Sequence, residues 1–275
     1  MTRVVASASL AVVLLAGCAQ SAPTASPAPA TPTAVALPSA ASIAPSPTTE
    51  RTAPSSAPLP EGSEAYDLDP AQFAGIDIDN LFWPMAPGSR WVYSETDEDG
   101  NVARDEVTVL DTTKVIAGIQ AREVHDILTL DGETVEDTID WYAQDAAGNL
   151  WYLGEDTKEY ENGKVASTAG SWQAGVDGAL AGIIVPAQPA VGMTYRQEFY
   201  RGEAEDSADV LSLTEHATVP AGTYEGCLQT RDYTPLEPDV EEQKWYASGV
   251  GPVQTIQTKG GTSTEQLVEY TPGPS

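Results

Sequence analysis

The sequence predicts an all-β, mainly antiparallel domain of about a dozen strands in two similar meanders, curved into an open or partly closed barrel with few helices. Three observations predict it. Runs rich in Val, Thr, Ile and Tyr are punctuated by turn dipeptides, Asp99-Gly100, Asp131-Gly132 and Asn162-Gly163, which favour tight hairpins. No window of comparable length places apolar residues at helical spacing. An offset of 104 residues superposes Gly88 on Gly192, Val115-Ile116-Ala117-Gly118 on Val219-Pro220-Ala221-Gly222, and Trp141-Tyr142-Ala143 on Trp245-Tyr246-Ala247, the signature of a unit made twice, over residues 88–145 and 192–249.

The chain opens with Arg3, an apolar run from Val4 to Leu15, and Leu15-Ala16-Gly17-Cys18. The run is shorter than the roughly 20 residues that a spanning helix needs, so residues 1–17 read as a secretion signal. Leu-Ala-Gly-Cys resembles the lipobox of bacterial lipoproteins, which implies acylation of Cys18. Two or three acyl chains, palmitate-like in length, hold a protein on a membrane at about 0.8 kcal/mol per buried methylene. Cys18 begins a tether over residues 18–60. From residue 19 onward, 35 of 42 positions are Ala, Pro, Ser or Thr, too few apolar side chains to offset the entropy of ordering. Extended as polyproline II at about 3.1 Å per residue, the tether reaches roughly 130 Å.

Residues 61–80 form an acidic, Pro-interrupted arm with one helical turn expected at Pro70-Ala71-Gln72-Phe73. The β domain runs over residues 81–275. Pro87-Gly88 turns the chain into a strand at Arg90-Trp91-Val92-Tyr93, and strands are expected over 106–116, 121–130 and 134–143. Trp141-Tyr142-Ala143 and Leu150-Trp151-Tyr152-Leu153 flank the turn Ala147-Gly148-Asn149. Successive strand side chains alternate faces, so this hairpin carries aromatics on both. Residues 171–182 are rich in small residues and read as a loop, and strands are then expected over 194–200, 208–214, 225–233, 241–247, 253–258 and 265–270.

Residues 61–275 carry 40 acidic and 11 basic side chains, a balance of −29. A field of that sign repels phosphate backbones, which excludes nucleic acid as a partner. With Cys18 acylated, Cys227 stands alone and reads as a small buried hydrophobe. His125 and His216 are the only histidines, with no His-x-x-x-His and no Cys-x-x-Cys, so spacing gives no zinc site and no other cofactor is indicated. Asp97-Glu98-Asp99-Gly100-Asn101 invites a calcium reading, but the sixth and twelfth positions of such a loop are Val102 and Thr108 where Gly and Glu are required. An acidic hairpin tip accounts for it. No nucleophile elbow and no Ser-x-x-Lys appear, so no catalytic residue is assigned.

The runs DWYAQDAAGNLWYLGE, Tyr160-Glu161-Asn162-Gly163-Lys164, GSWQAGVDGALAGIIVPAQPAVG and Tyr195-Arg196-Gln197-Glu198 resemble a family of secreted or lipid-anchored bacterial proteins that has no assigned activity. The Val-Pro-Ala-Gly turn and the later Trp-Tyr-Ala-x-Gly-Val-Gly-x-Val run are also similar to lipoproteins with a curved half-barrel sheet like the carrier LolA, an analogy of fold alone.

Two groups of residues are candidates for binding. Arg196 and Glu198 fall on one strand face; either Arg196 pairs with a cross-strand acid or it holds a ligand carboxylate or phosphate in a bidentate grip. Trp141, Trp151, Tyr152 and Trp172 are either core or the wall of a pocket for an apolar or amphipathic ligand. The chain therefore reads as a lipid-anchored protein on the outer face of the cell membrane, binding a small apolar ligand or an envelope protein. A structural module at the cell wall is the alternative, and an unrecognised enzyme the third reading.

Overall fold

The computed structural model describes residues 58–73 and 75–274. The signal segment, Cys18 and the tether up to residue 57 lie outside the described residues. β1 (Arg90–Thr96), β2 (Val102–Ile116), β3 (Ile119–Leu130), β4 (Glu133–Gln144) and β5 (Leu150–Glu161) form an antiparallel meander, each strand bonded to the next. The chain then runs back along the free edge of β5 in three pieces, β6 (Lys164–Ser167), β7 (Trp172–Gln173) and β8 (Leu180–Val185). The short strands β9 (Thr194–Arg196) and β10 (Glu198–Phe199) lead into a second meander, β11 (Ser207–Val219), β12 (Gly222–Tyr233), β13 (Glu241–Ala247), β14 (Gly251–Lys259) and β15 (Thr264–Thr271). β15 pairs with β1 and joins the meanders into one sheet.

Local chemistry explains the hairpins. Asp131-Gly132 and Asn162-Gly163 hold positive φ at both residues (53° and 84°, 53° and 70°), the type I′ geometry whose twist matches the strands. Asp97 and Asp145 each head an Asp-x-x-Gly-Asn tip. Asp97 Oδ1 accepts from the backbone N–H of Asp99 and Asn101 at 3.0 and 2.8 Å, and Asp145 Oδ1 from those of Ala147 and Asn149, both at 2.9 Å. Asp97 is therefore occupied in shaping its own turn, which holds its carboxyl below the usual range. The turn expected at Pro70-Ala71-Gln72-Phe73 is a 3-10 helix, Pro70–Gln72, capped by Asp69.

The strand order is β10-β8-β5-β4-β3-β2-β1-β15-β14-β13-β12-β11-β9. Its two ends, β9 and β10, are consecutive in the chain and separated by Gln197 alone. The ladder does not close into a barrel, yet the ends are stitched to each other by one segment. This corrects the single strand expected over 194–200: the backbone breaks at Gln197 because Arg196 pairs with Ser207 of β11 while Glu198 pairs with Ala181 of β8. Curvature is correspondingly strong. Tyr142 on β4 and Tyr246 on β13 are six strand spacings apart, roughly 29 Å on a flat sheet. Their rings nevertheless lie 5.7 and 6.2 Å from the ring of Trp83, which enters the concave side from the segment between the arm and β1.

Residues 171–182 are a loop only in part, since two short strands flank its turn. β7 at 172–173 and β8 from 180 pair with β5, while a turn over 174–179 connects them. The 104-residue offset maps β2 onto 206–220 against β11 at 207–219, and β3 onto 223–234 against β12 at 222–233. The turn bond from Ser89 N–H to Ala86 O, 2.9 Å, has its counterpart from Met193 N–H to Ala190 O, 2.9 Å.

The stitch allows no side chain at Gly182, where a Cβ would overlap the backbone of Gln197 and Arg196. Gly182→Ala is expected to cost about 3 kcal/mol, the upper end of overpacking, read as a fall in the thermal midpoint.

Candidate functional site

The sheet brings together three of the aromatic and charged residues singled out from the sequence and separates the others. Tyr152 on β5 and Trp172 on β7 meet edge to face at 5.3 Å, and Trp172 Nε1 donates to Glu198 Oε2 at 2.7 Å. Trp151 instead packs beneath the arm, its ring 5.0 Å from Tyr66 and 6.0 Å from Phe73, with Nε1 donating to Asp145 Oδ2 at 2.9 Å. Trp141 also stands apart, with the Lys114 ammonium 3.4 Å from its ring centroid.

Arg196 is 1% exposed, and its contacts favour neither sequence reading. Nε and Nη2 donate to Ala181 O at 3.1 and 2.8 Å, and Nη1 donates to Gly62 O and Glu64 O at 2.8 and 2.7 Å. The guanidinium is spent on four hydrogen bonds to carbonyls, so neither a cross-strand acid nor a ligand anion holds it. Its role is to clamp the arm across the place where the sheet's ends meet, and burial lowers it to about 10.

The concave face carries chemistry that the sequence reading did not find. Four pairs of acids face one another across adjacent strands: Glu95 and Glu265 on β1 and β15, Glu136 and Glu159 on β4 and β5, Asp140 and Glu155 on the same two strands, and Asp232 and Glu242 on β12 and β13. Like charges directly opposite one another destabilise a sheet, so each pair requires a proton or a cation. The Tyr152 hydroxyl lies 2.6 Å from Asp140 Oδ1 and 3.1 Å from Glu155 Oε2. Burial raises both of these carboxyls well above the ordinary range. Lys244 supplies a cation to another pair, with Nζ 3.2 Å from Asp232 Oδ2, and it lowers Glu242 against the upward push of burial.

Glu95 and Glu265 receive less. Both are more than nine-tenths buried. Glu265 Oε2 accepts from Thr255 Oγ1 at 3.0 Å, but Glu265 Oε1 and Glu95 Oε2 find no hydrogen-bond partner among the described residues. Burial, then the neighbouring acids, pushes Glu95 up to about 8 and Glu265 to about 8. Burial likewise raises Glu136 to about 7 and raises Asp126 on β3. Asp126, Glu136 and Glu242 keep accessible surface even though desolvation dominates their titration. Their strands bend around one side of the sheet, and that concavity is the recess in which these carboxyls stand.

A signal for these acids exists in the sequence. Asp105 shares strand parity with Val107 and Val109, and Asp126 with Val124 and Leu128, so each acid sits on the apolar face of its strand. The recess does not assemble a metal centre, for among the described residues no group of three or more His, Cys, Asp and Glu side chains is placed to hold a metal ion. Cys227 is buried and its thiol is pushed up by burial, as expected of an inert core residue.

No protein-family model matches the chain, and no curated protein matches it significantly in sequence. Two solved structures are similar. A Bacteroides fragilis protein with a YmcC-like fold, inferred to be exported, superposes with a TM-score of 0.44 at 16% identity, covering 70% of this chain and 100% of that one. A Parabacteroides distasonis protein inferred to be a lipoprotein superposes with a TM-score of 0.41 at 18% identity, covering 70% of this chain and 99% of that one.

Replacing the Arg196 clamp tests its role. Arg196→Ala leaves three carbonyls, those of Ala181, Gly62 and Glu64, without their donor, and the expected cost is about 2–4 kcal/mol. Limited proteolysis should then cut within residues 58–68 at protease concentrations that spare the parent protein, and Arg196→Lys should restore protection only in part because a point charge cannot fork to both β8 and the arm.

The raised carboxyls also set the pH dependence of stability. A carboxyl with a higher pKa folded than unfolded stabilises the fold while it is protonated, so stability falls as pH rises from the unfolded value of 4.5 to about 8 for Glu95 and Glu265. The thermal midpoint should be highest near pH 5 and decline to pH 8. Glu95→Gln should flatten that decline and raise the midpoint at pH 8.

Proposed function

We propose that this is an extracytoplasmic lipoprotein, acylated at Cys18 and moored by its Pro-rich tether on the outer face of the cell membrane, which acts by holding a small ligand inside the curved sheet. The lipobox Leu15-Ala16-Gly17-Cys18 and the tether composition support the mooring. Among the described residues no helix is long and apolar enough to cross a membrane. One observation carries the binding role: carboxyl oxygens of Glu95 and Glu265, more than nine-tenths buried and without a hydrogen-bond partner among the described residues, adjoin a recess that Asp126, Glu136 and Glu242 leave accessible. Hydrophobic side chains of similar volume in such places are usually neutral or stabilising, so retained acids point to a use.

The chemistry of the recess moves the ligand away from the apolar class expected from the aromatics. Trp141 and Trp151 lie outside the recess, and Trp83, just after the arm, fills the aromatic end beside Tyr142 and Tyr246. A polar or amphipathic ligand fits better than an apolar one.

A second reading, an enzyme using general acid–base chemistry, is favoured by the proximity of Asp126 and Glu136, whose carboxyls both titrate high and both remain accessible. Binding without turnover is preferred because the sequence carries no nucleophile elbow and no Ser-x-x-Lys, and the hydroxyl beside them, Thr138 Oγ1, donates to Glu136 Oε1 at 3.2 Å and to no substrate-facing point. Turnover of a bound ligand that stops in Glu136→Gln with affinity unchanged would move the assignment to the enzyme.

Native mass spectrometry of the lipidated protein purified from its own host should show a co-purified small molecule; a clean mass together with no thermal shift from any ligand tested would overturn the binding role. In detergent phase partition, the parent protein should enter the detergent phase and Cys18→Ala the aqueous phase, whereas detergent partition of Cys18→Ala would overturn the anchor.

A further inference from the structure

We propose that the recess takes a linear aliphatic amine carrying two or more charges, with one ammonium group seated between Glu95 and Glu265. This rests on the binding role above and names its ligand class.

The chain's own treatment of a neighbouring pair supplies the argument. On β12 and β13, Asp232 and Glu242 face each other, and the chain brings an aliphatic ammonium to them on a four-carbon stem, Lys244. On β1 and β15, Glu95 and Glu265 face each other in the same way, and each keeps an oxygen for which no described residue supplies a donor. Each of those oxygens calls for an N–H. A primary ammonium has three, and it is compact enough for a gap between strands. The stem has apolar surroundings available, since Tyr93 and Tyr246 neighbour Glu265.

More than one charge is favoured because further acids face the same space from other strands. Asp105 on β2, Asp126 on β3 and Glu136 on β4 stand on one side, and Glu242 on β13 on the other, while Lys244 is the cation among them. A bare divalent ion is disfavoured because these oxygens do not gather into a coordinating group. The acids are spread over several strands, a spacing that a flexible chain of amines can match. The net charge of −28 draws such a cation in from solution.

Seating the cation exchanges it for a proton. A neutral carboxyl and an ammonium become a carboxylate hydrogen-bonded to that ammonium, with one proton released to solvent. Glu95 and Glu265 hold protons up to about pH 8 when no cation is present, so binding below that pH releases protons and tightens as pH rises.

The test is calorimetric titration of the full lipidated protein in detergent micelles with spermidine, in two buffers of different ionisation enthalpy. Expected are saturable binding, net proton release at pH 7, and a dissociation constant that falls about tenfold per pH unit for each proton released between pH 6 and 7. Glu95→Gln and Glu265→Gln should weaken binding about tenfold or more while remaining folded by circular dichroism, and Glu225→Gln, a change on the exposed surface, should leave it unchanged. Equal loss in all three variants, or binding without proton release, would show surface attraction and overturn the proposal. Magnesium or calcium giving the same Glu95-dependent proton release would overturn the amine in favour of a metal ion. If spermidine does not bind while the protein from its host carries a neutral molecule, the ligand class fails and the binding role stands. If spermidine does not bind and the host protein carries nothing, both fall.

Discussion

The structure depends on one stitch. Residues 194–199 belong to both ends of a single long sheet, with Thr194 to Arg196 on β11 and Glu198 and Phe199 on β8. A sheet whose ends share six residues must bend until those ends meet, and the inside of the bend becomes a place from which water is largely removed. Gly182 and Gly154 permit the close approach, since a side chain at either would meet backbone. Arg196 then locks the result by gathering carbonyls from β8 and from the arm, a use of its fork geometry that no shorter cation could fill.

Curvature turns an ordinary feature of antiparallel sheets into an electrostatic problem. Acids opposite one another on a flat sheet with one solvated face are screened by water, whereas those turned inward lose hydration and bring their charges together across the fold. Glu95 feels Glu242, Glu136 and Asp126, which reach it from three other strands. The fold resolves the resulting repulsion in different ways at different places, with a tyrosine hydroxyl at Asp140 and Glu155, an ammonium at Asp232 and Glu242, and retained protons at Glu95 and Glu265. The differences among these solutions distinguish structural acids from a site. Tyr152 bridges one pair and Lys244 serves another, although Glu155 Oε1 stays without a donor among the described residues. Glu95 and Glu265, both more than nine-tenths buried, have no such shared partner, while Glu136 and Glu159, which also keep unpartnered oxygens, are only partly buried.

Much of the architecture could be read from the sequence because hairpins are local. Asp131-Gly132 and Asn162-Gly163 set their turns by backbone preference alone, and the Asp-x-x-Gly-Asn tips at Asp97 and Asp145 are built within five residues. Legibility failed where partners lie far apart. The break at Gln197 follows from two strands that are distant in sequence, and nothing near Arg196 announces that Gly62 and Glu64 will be its partners. The aromatics misled for a different reason: period-two alternation shows that Trp151 and Tyr152 take opposite faces but not which face is concave. The inward acids were legible in principle, because Asp105 and Asp126 sit at the parity of Val107 and Val124. The habit of assigning charge to the solvent side hid them.

The two halves sharpen the point. Under the 104-residue offset Tyr142 corresponds to Tyr246, and these rings flank Trp83 from either side. The same offset places Asp140 opposite Lys244. Where one half contributes a carboxylate, the other contributes an ammonium. If one meander was made twice, a single inward position has taken opposite charges, each with its own answer: Asp140 is met by Tyr152, and Lys244 serves Asp232. Lys244 also lowers Glu265 across the fold, yet no described residue donates to Glu265 Oε1 or Glu95 Oε2, on the last strand of one half and the first strand of the other. A symmetric interior would place equal demands on both halves and have no preferred spot. Divergence at this position leaves the most deeply buried unmet pair at the junction, on the strands that hold the two meanders together, while single unpartnered oxygens of Glu136, Glu155 and Glu159 stay within the first half.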